Sequence, residues 1–139
     1  VALKELTSRN LKVSRNFKDL ANSFAKNPVT KDLIVLKDTA AIRQAMKNLV
    51  LTSPGEKLFQ SDVGSKTYQL LFEPLDPFTV DTLKDEIVQT LKNFEPRIEI
   101  LTVDVAAVDD YHELRVDVEY RIIGQPLVQT VDFILQRAE

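Results

Sequence analysis

At Asn93-Phe94-Glu95-Pro96-Arg97 the hydrophobic period of the chain changes from that of a helix to that of a strand. No other stretch restricts the fold as much. Upstream, Val80, Leu83, Ile87, Leu91 and Phe94 recur at helical spacing and line one stripe. Asp81, Asp85 and Glu86 stand early and Lys92 late, as the helix dipole favours. The start of this helix is ambiguous between Asp76-Pro77 and Thr79. Proline disfavours helical geometry in the residue before it, so Glu95 is the expected exit. Glu95 and Arg97 then flank a rigid bend. One reading is a helix-to-strand junction with a local surface ion pair. The other is a pair of projecting charges that dock on a partner, the planar donor fork of Arg97 supplying bidentate contacts.

Past the corner the period is two. Leu114, Val116, Val118, Tyr120 and Ile122 alternate with Glu113, Arg115, Asp117, Glu119 and Arg121, which predicts a strand with one buried and one wet face. Leu127, Val131, Phe133 and Leu135 repeat the pattern in a last strand. The segment from Arg97 to Ala106 is less regular: Ile98 and Ile100 have one parity, Leu101, Val103 and Val105 the other. A bulge near Ile100-Leu101, or burial of both faces, accounts for that. Asp109-Asp110 and Gly124-Gln125-Pro126 mark the two turns.

Before the long helix, residues 1–16 are polar and basic, with Lys4, Arg9, Lys12 and Arg15, and are expected to be a flexible N-terminal arm. Phe17, Leu20 and Phe24 suit a short strand or extended segment. Asn27-Pro28 signals a turn and Leu33–Leu36 a strand. Asp38 is placed to cap a helix whose apolar face is Ile42, Ala45, Met46 and Leu49 and which stops before Ser53-Pro54-Gly55. A loop over 54–66 leads to a short helix around Tyr68, Leu71 and Phe72 that ends near Glu73-Pro74. The expectation is an α+β fold, with helices packed on one face of a mostly antiparallel sheet and a C-terminal three-stranded meander. Residues 17–139 are expected to form one domain. A chain of 139 residues buries roughly 68% of its unfolded surface.

Composition excludes more than it suggests. Cysteine is absent, which removes disulfides, thiolate metal sites and cysteine nucleophiles. The formal net charge of −3 argues against nucleic-acid or anionic-membrane binding. No apolar run approaches the ~18 residues of a membrane span. The chain opens on Val1-Ala2-Leu3-Lys4, without Met and without a signal-peptide apolar stretch, so a processed start with no secretory leader is expected. The one histidine, His112, shares the parity of the buried strand face and is expected to be packed rather than catalytic. No nucleophile elbow is present, and Gly64-Ser65-Lys66-Thr67 has the wrong order for a phosphate loop. Asp109-Asp110 could hold a hard cation only weakly. A glycosidase would draw on Glu56, Glu73, Asp76 or Glu95. With 21 acidic residues such candidates carry little information, and no tryptophan is available to stack on a sugar. No catalytic residue, metal site, cofactor or small-molecule substrate is expected.

The order of signals resembles the small baseplate wedge proteins of contractile phage tails and their relatives in type VI secretion baseplates. The matching residues are Asn27-Pro28 with Thr30 and Asp32, Asp38 with Ala41-Ile42, and Lys47-Asn48-Leu49. Thr52, Pro54-Gly55-Glu56-Lys57, Phe59, Gly64-Ser65 and Leu71-Phe72-Glu73 follow. The strongest stretch is Asn93-Phe94-Glu95-Pro96-Arg97-Ile98, and the similarity runs over residues 17–137. Phe94 stands where such proteins often carry tryptophan, and Lys31 where glycine is common. The resemblance implies a fold like the core of contractile sheath subunits. It implies a partner-binding site at Glu95, Pro96, Arg97 and Phe94 that docks to a core bundle of larger wedge subunits. It also implies a template for the first layer of tail sheath; an unpaired strand edge of a short mixed domain suits that role, the other reading being edges protected by charge, as the acidic residues of the second strand suggest. The expected place is the virion tail baseplate, assembled in the host cytoplasm. Some members are labelled lysozymes, so a glycosidase acting on peptidoglycan is the alternative.

Overall fold

The computed structural model describes residues 17–74, 76–109 and 113–136, Asp109 by its backbone alone. The arm expected over 1–16 and the expectations for Asp110 and His112 lie outside the described residues. The chain divides into two compact units, residues 1–44 and 45–139.

In the first unit, β1 (Lys18–Leu20) and β2 (Val35–Lys37) pair antiparallel, with Lys18 opposite Lys37, Asp19 opposite Leu36 and Leu20 opposite Val35. A bridge between Lys26 and Leu33 extends the ribbon. The turn follows from Asn27, whose Oδ1 accepts the N–H groups of Val29 (2.9 Å) and Thr30 (3.3 Å). Lys31 closes it at φ +57°, a left-handed backbone that glycine adopts at no steric cost. Phe24 is not in a strand; it sits in a bend at φ +49°, with its ring exposed. Asp38 does not have the extended backbone of an N-cap. It is at φ +47°, and its Oδ1 accepts the Phe17 N–H at 3.1 Å, so its carboxylate ties the start of the ribbon.

Helix α1 (Thr39–Leu51) follows. Its most buried residues are Ala41, Ile42, Met46 and Val50, while Ala45 and Leu49 are half-buried. The buried stripe is thus rotated by a fraction of a turn from the one expected.

In the second unit, Thr52 to Lys66 form a loop closed at its base by the Ser65 N–H on the Thr52 carbonyl at 2.8 Å. Gly64 makes this closure possible: a Cβ there would lie 2.5 Å from the Thr52 oxygen. Helix α2 (Thr67–Leu70) leads to α3 (Pro77–Phe94). Asp76 settles the ambiguous start, accepting the Thr79 N–H at 2.7 Å with Pro77 in the first turn. Leu83, Ile87 and Leu91 are fully buried, each contributing roughly 1.5–3 kcal/mol.

Strands β3 (Ile98–Asp109), β4 (Glu113–Ile122) and β5 (Val128–Gln136) form an antiparallel meander in that order, with α3 against β3. The fold is α+β, with the helix on one face of the sheet. The register of β3 shifts between Ile100 and Thr102, which places the expected bulge at Leu101. All five apolar residues of the β4 alternation are buried, as are Val131, Phe133 and Leu135. Leu127 departs from the expected pattern: it lies before β5 and is exposed.

Candidate functional site

The corner is built by three constraints. The Glu95 N–H makes the last helical bond, to the Leu91 carbonyl at 2.9 Å, and Pro96 forbids the next turn. Glu95 accordingly leaves the helix at φ −123°, ψ 77°. The carbonyl of Arg97 then accepts the Ile123 N–H at 2.9 Å, which ties the corner to the β4–β5 turn.

The side chains do not both project. The Glu95 side chain is 3% exposed, and Arg97, 30% exposed, folds back over it. Arg97 Nε donates to Glu95 Oε1 and Nη2 to Oε2, both at 2.5 Å, a bidentate pair. The physical reason is proximity: the bend brings the two residues onto one side, where burial of Glu95 demands a cation. What the corner presents outward is the exposed Pro96 ring and the open part of Arg97, with Phe94 half-buried beside them. The four residues expected at the site are adjacent in the fold, but the carboxylate is structural in its placement.

Next to this corner lies a surface that periodicity did not signal. Ile123, Leu127 and Val128 are 64%, 69% and 58% exposed. A shallow cleft of about 420 Å³ is lined there by Glu99, Arg121, Ile123, Gly124, Gln125 and Pro126. Glu99 and Arg121 face each other across β3 and β4 and form an ion pair. The one available clue was Ile122-Ile123, an apolar pair that breaks the alternation just before a glycine turn.

The outer strands differ. β3 is interrupted by two register shifts, carries α3 alongside, and has Asp104 3.8 Å from Lys84 of that helix. β5 pairs with β4 without a break from Val128 to Gln136 and carries one charge, Asp132. Bulges, lysines and covering helices are what protect an edge, and β5 has none of them among the described residues.

A third exposed feature is the tip of the 52–66 loop. Leu58 is 82% exposed and Phe59 fully so, the latter at φ +65°. Below it, a cleft of about 440 Å³ is lined by Asn48, Leu49, Thr52, Glu56, Lys57 and Val63. Glu56 Oε2 accepts the Ser53 N–H at 2.9 Å, so this carboxylate braces the loop. The other residues weighed for glycosidase chemistry lie apart in role: Glu73 is on an exposed turn, and Asp76 caps α3. The Thr79 N–H holds the Asp76 carboxyl below its ordinary range. Among the described residues no cluster of three or more His, Asp or Glu is arranged to hold a metal ion. No described helix is long and apolar enough to cross a membrane.

Residues 37–127 match the family of the baseplate wedge protein gp25. The baseplate wedge protein gp25 of Enterobacteria phage T4 is 31% identical over 86 residues, 62% of this chain and 65% of that protein. This chain therefore spans just under two thirds of that relative's length. Among solved structures, a Geobacter sulfurreducens protein described as a tail lysozyme superposes with a TM-score of 0.65 at 23% identity, over 70% of this chain and 89% of that one. A chain of the post-contraction pyocin R2 baseplate gives 0.55 at 18% identity, covering 88% of this chain and all of that one. A chain of the anti-feeding prophage baseplate gives 0.63 at 14% identity, covering 89% and 88%. The structural likenesses bear on the fold.

Proposed function

This chain belongs to the baseplate wedge gp25 family, and we propose that it works as a docking subunit of a contractile-tail baseplate, with no catalytic step of its own. In this reading Phe94, Pro96 and the outward part of Arg97 dock onto a core bundle of larger wedge subunits, and Glu95 holds Arg97 in place. The β5 edge offers the first template for tail sheath. Its location is the tail baseplate, assembled in the host cytoplasm.

The observation that carries the reading is the bidentate Glu95–Arg97 pair behind an exposed proline. A guanidinium already fixed by a buried carboxylate pays little ordering entropy on docking. The unbroken, nearly uncharged β5 supports the templating part, because its outward N–H and C=O groups suit an incoming strand. The glycosidase reading finds less support. Both oxygens of Glu95 are engaged by Arg97, and each of the two clefts described above has one carboxylate among its described lining residues, where the chemistry needs two.

The test is Pro96→Glu, at an exposed position and with both members of the ion pair retained. Co-purification with the large wedge subunits should fall by about tenfold, which is roughly 1.4 kcal/mol. Thermal unfolding should change little. Undiminished co-purification removes the corner from the interface. Muropeptide release by the wild type that is lost in Glu73→Gln or Glu95→Gln would restore the enzyme.

A further inference from the structure

The β1–β2 ribbon lies almost entirely before the region matched by the family, and its two faces are treated differently by the fold. The Asp19–Leu36 face is turned toward the start of α1. Gln44 of that helix donates through Nε2 to the Leu20 carbonyl (2.7 Å) and to Asp19 Oδ2 (3.5 Å), and its Oε1 accepts the Asn22 N–H (3.0 Å). The opposite face carries Lys18, Leu20, Val35 and Lys37, since directly opposed residues share a face and alternate along each strand. All four are exposed, Leu20 and Val35 at 46% each. The ribbon continues to the Lys26–Leu33 bridge, where Leu33 is 40% exposed.

That face is costly as it stands. Lys18 and Lys37 are directly opposite one another, an arrangement that destabilises a strand pair. No described carboxylate pairs with either lysine. Strands of three residues in a two-stranded ribbon are marginal in water. Three non-glycine residues in left-handed backbone, Phe24, Lys31 and Asp38, are spent on holding it in this shape. An apolar centre, Leu20 and Val35, bordered by facing lysines is matched by one kind of surface: apolar side chains bordered by carboxylates.

We propose that this face is a docking surface for an acidic, amphipathic segment of a neighbouring protein in the assembled baseplate. Carboxylates of that segment relieve the Lys18–Lys37 repulsion, and its apolar side chains cover Leu20 and Val35. Opposite charges steer the encounter, and the apolar contact supplies the burial. The surface shares no residue with the proline corner and makes no use of Arg97.

The test is lysine acylation, read by mass spectrometry, on the isolated protein and on assembled baseplates containing it, with exposed Lys92 on α3 as the reference. Lys18 and Lys37 should react as readily as Lys92 in the isolated protein and about tenfold less in the assembly. A zero-length carbodiimide, which joins amines to carboxylates in contact, should couple Lys18 or Lys37 to Asp or Glu of another chain. Lys18→Glu with Lys37→Glu should lose incorporation about tenfold, and Lys18→Arg with Lys37→Arg should keep it. Unchanged acylation in the assembly overturns the proposal. So does protection already complete in the isolated protein, which would mean that the chain covers this face itself, or coupling confined to carboxylates of the same chain. The wild-type footprint decides even where the charge-reversed variant fails to fold, and Arg97→Ala assemblies keep the footprint wherever they form.

Discussion

The proline corner and the β1–β2 ribbon each carry a pair of charged residues, and the two pairs could hardly differ more. At the corner, Glu95 is 3% exposed and bound twice by Arg97. In the ribbon, Lys18 and Lys37 face one another in the open. A charge taken out of water must be paired, so the first pair is part of what fixes the chain direction between α3 and β3. A like-charged pair facing water is a cost that the ribbon carries by itself and that carboxylates of a partner would relieve. Burial, rather than sequence spacing, separates a structural ion pair from a recognition surface.

The sharpest way to break this contrast is Arg97→Ala. It leaves a buried carboxylate unmatched and should cost about 3 kcal/mol in urea unfolding, little changed by salt. A loss below roughly 1 kcal/mol would put the pair in the same exposed class as the ribbon. The next effect has the opposite sign. Tyr120 is fully buried on β4, and its hydroxyl meets no hydrogen-bond partner among the described residues. Removing that oxygen in Tyr120→Phe should raise stability by about 1 kcal/mol, visible as a higher Tm. A lower Tm would mean that a water or side chain satisfies the hydroxyl.

In the ribbon, Lys31→Gly relieves the left-handed backbone at φ +57° but adds freedom to the unfolded chain. The net gain should be about 0.5 kcal/mol, and a clear loss would show that the Lys31 side chain holds the turn. The smallest effect concerns the other end of the helix that carries the corner. The Asp76 carboxyl is held below its ordinary value of 3.8 by the Thr79 N–H. A depressed acid stabilises the fold fully above its unfolded value, and that contribution is lost as pH falls through the folded one. Asp76→Asn retains a capping oxygen and does not titrate. The stability difference between wild type and variant should therefore be constant above pH ~5 and shift against the wild type in more acid solution. Parallel acid unfolding curves would contradict this.

Much of the fold follows from residue order alone. The alternation from Glu113 to Ile122 specified β4 with its buried face, because a period of two has one solution on a half-buried sheet. The broken parity at Ile100-Leu101 left a bulge or a doubly buried strand, of which the structure takes the bulge, and Pro96 specified the end of α3. These are local effects, set by sterics within a few residues. The residues of the corner were legible for the same reason. The direction of their side chains was not. Glu95 faces inward and Asp38 ties Phe17 instead of capping α1, because each carboxylate takes the partner that burial or a distant strand offers. The α1 stripe turned from Ala45 and Leu49 toward Ala41 and Val50, since a helix rotates until its best packing face is covered. The exposed Ile123, Leu127 and Val128, and the lysines opposed at Lys18 and Lys37, depend on strand register. Sequence sets which residues are apolar or charged. Which of them meet across strands, and which are left facing water, is decided only when distant segments compete for the same buried space.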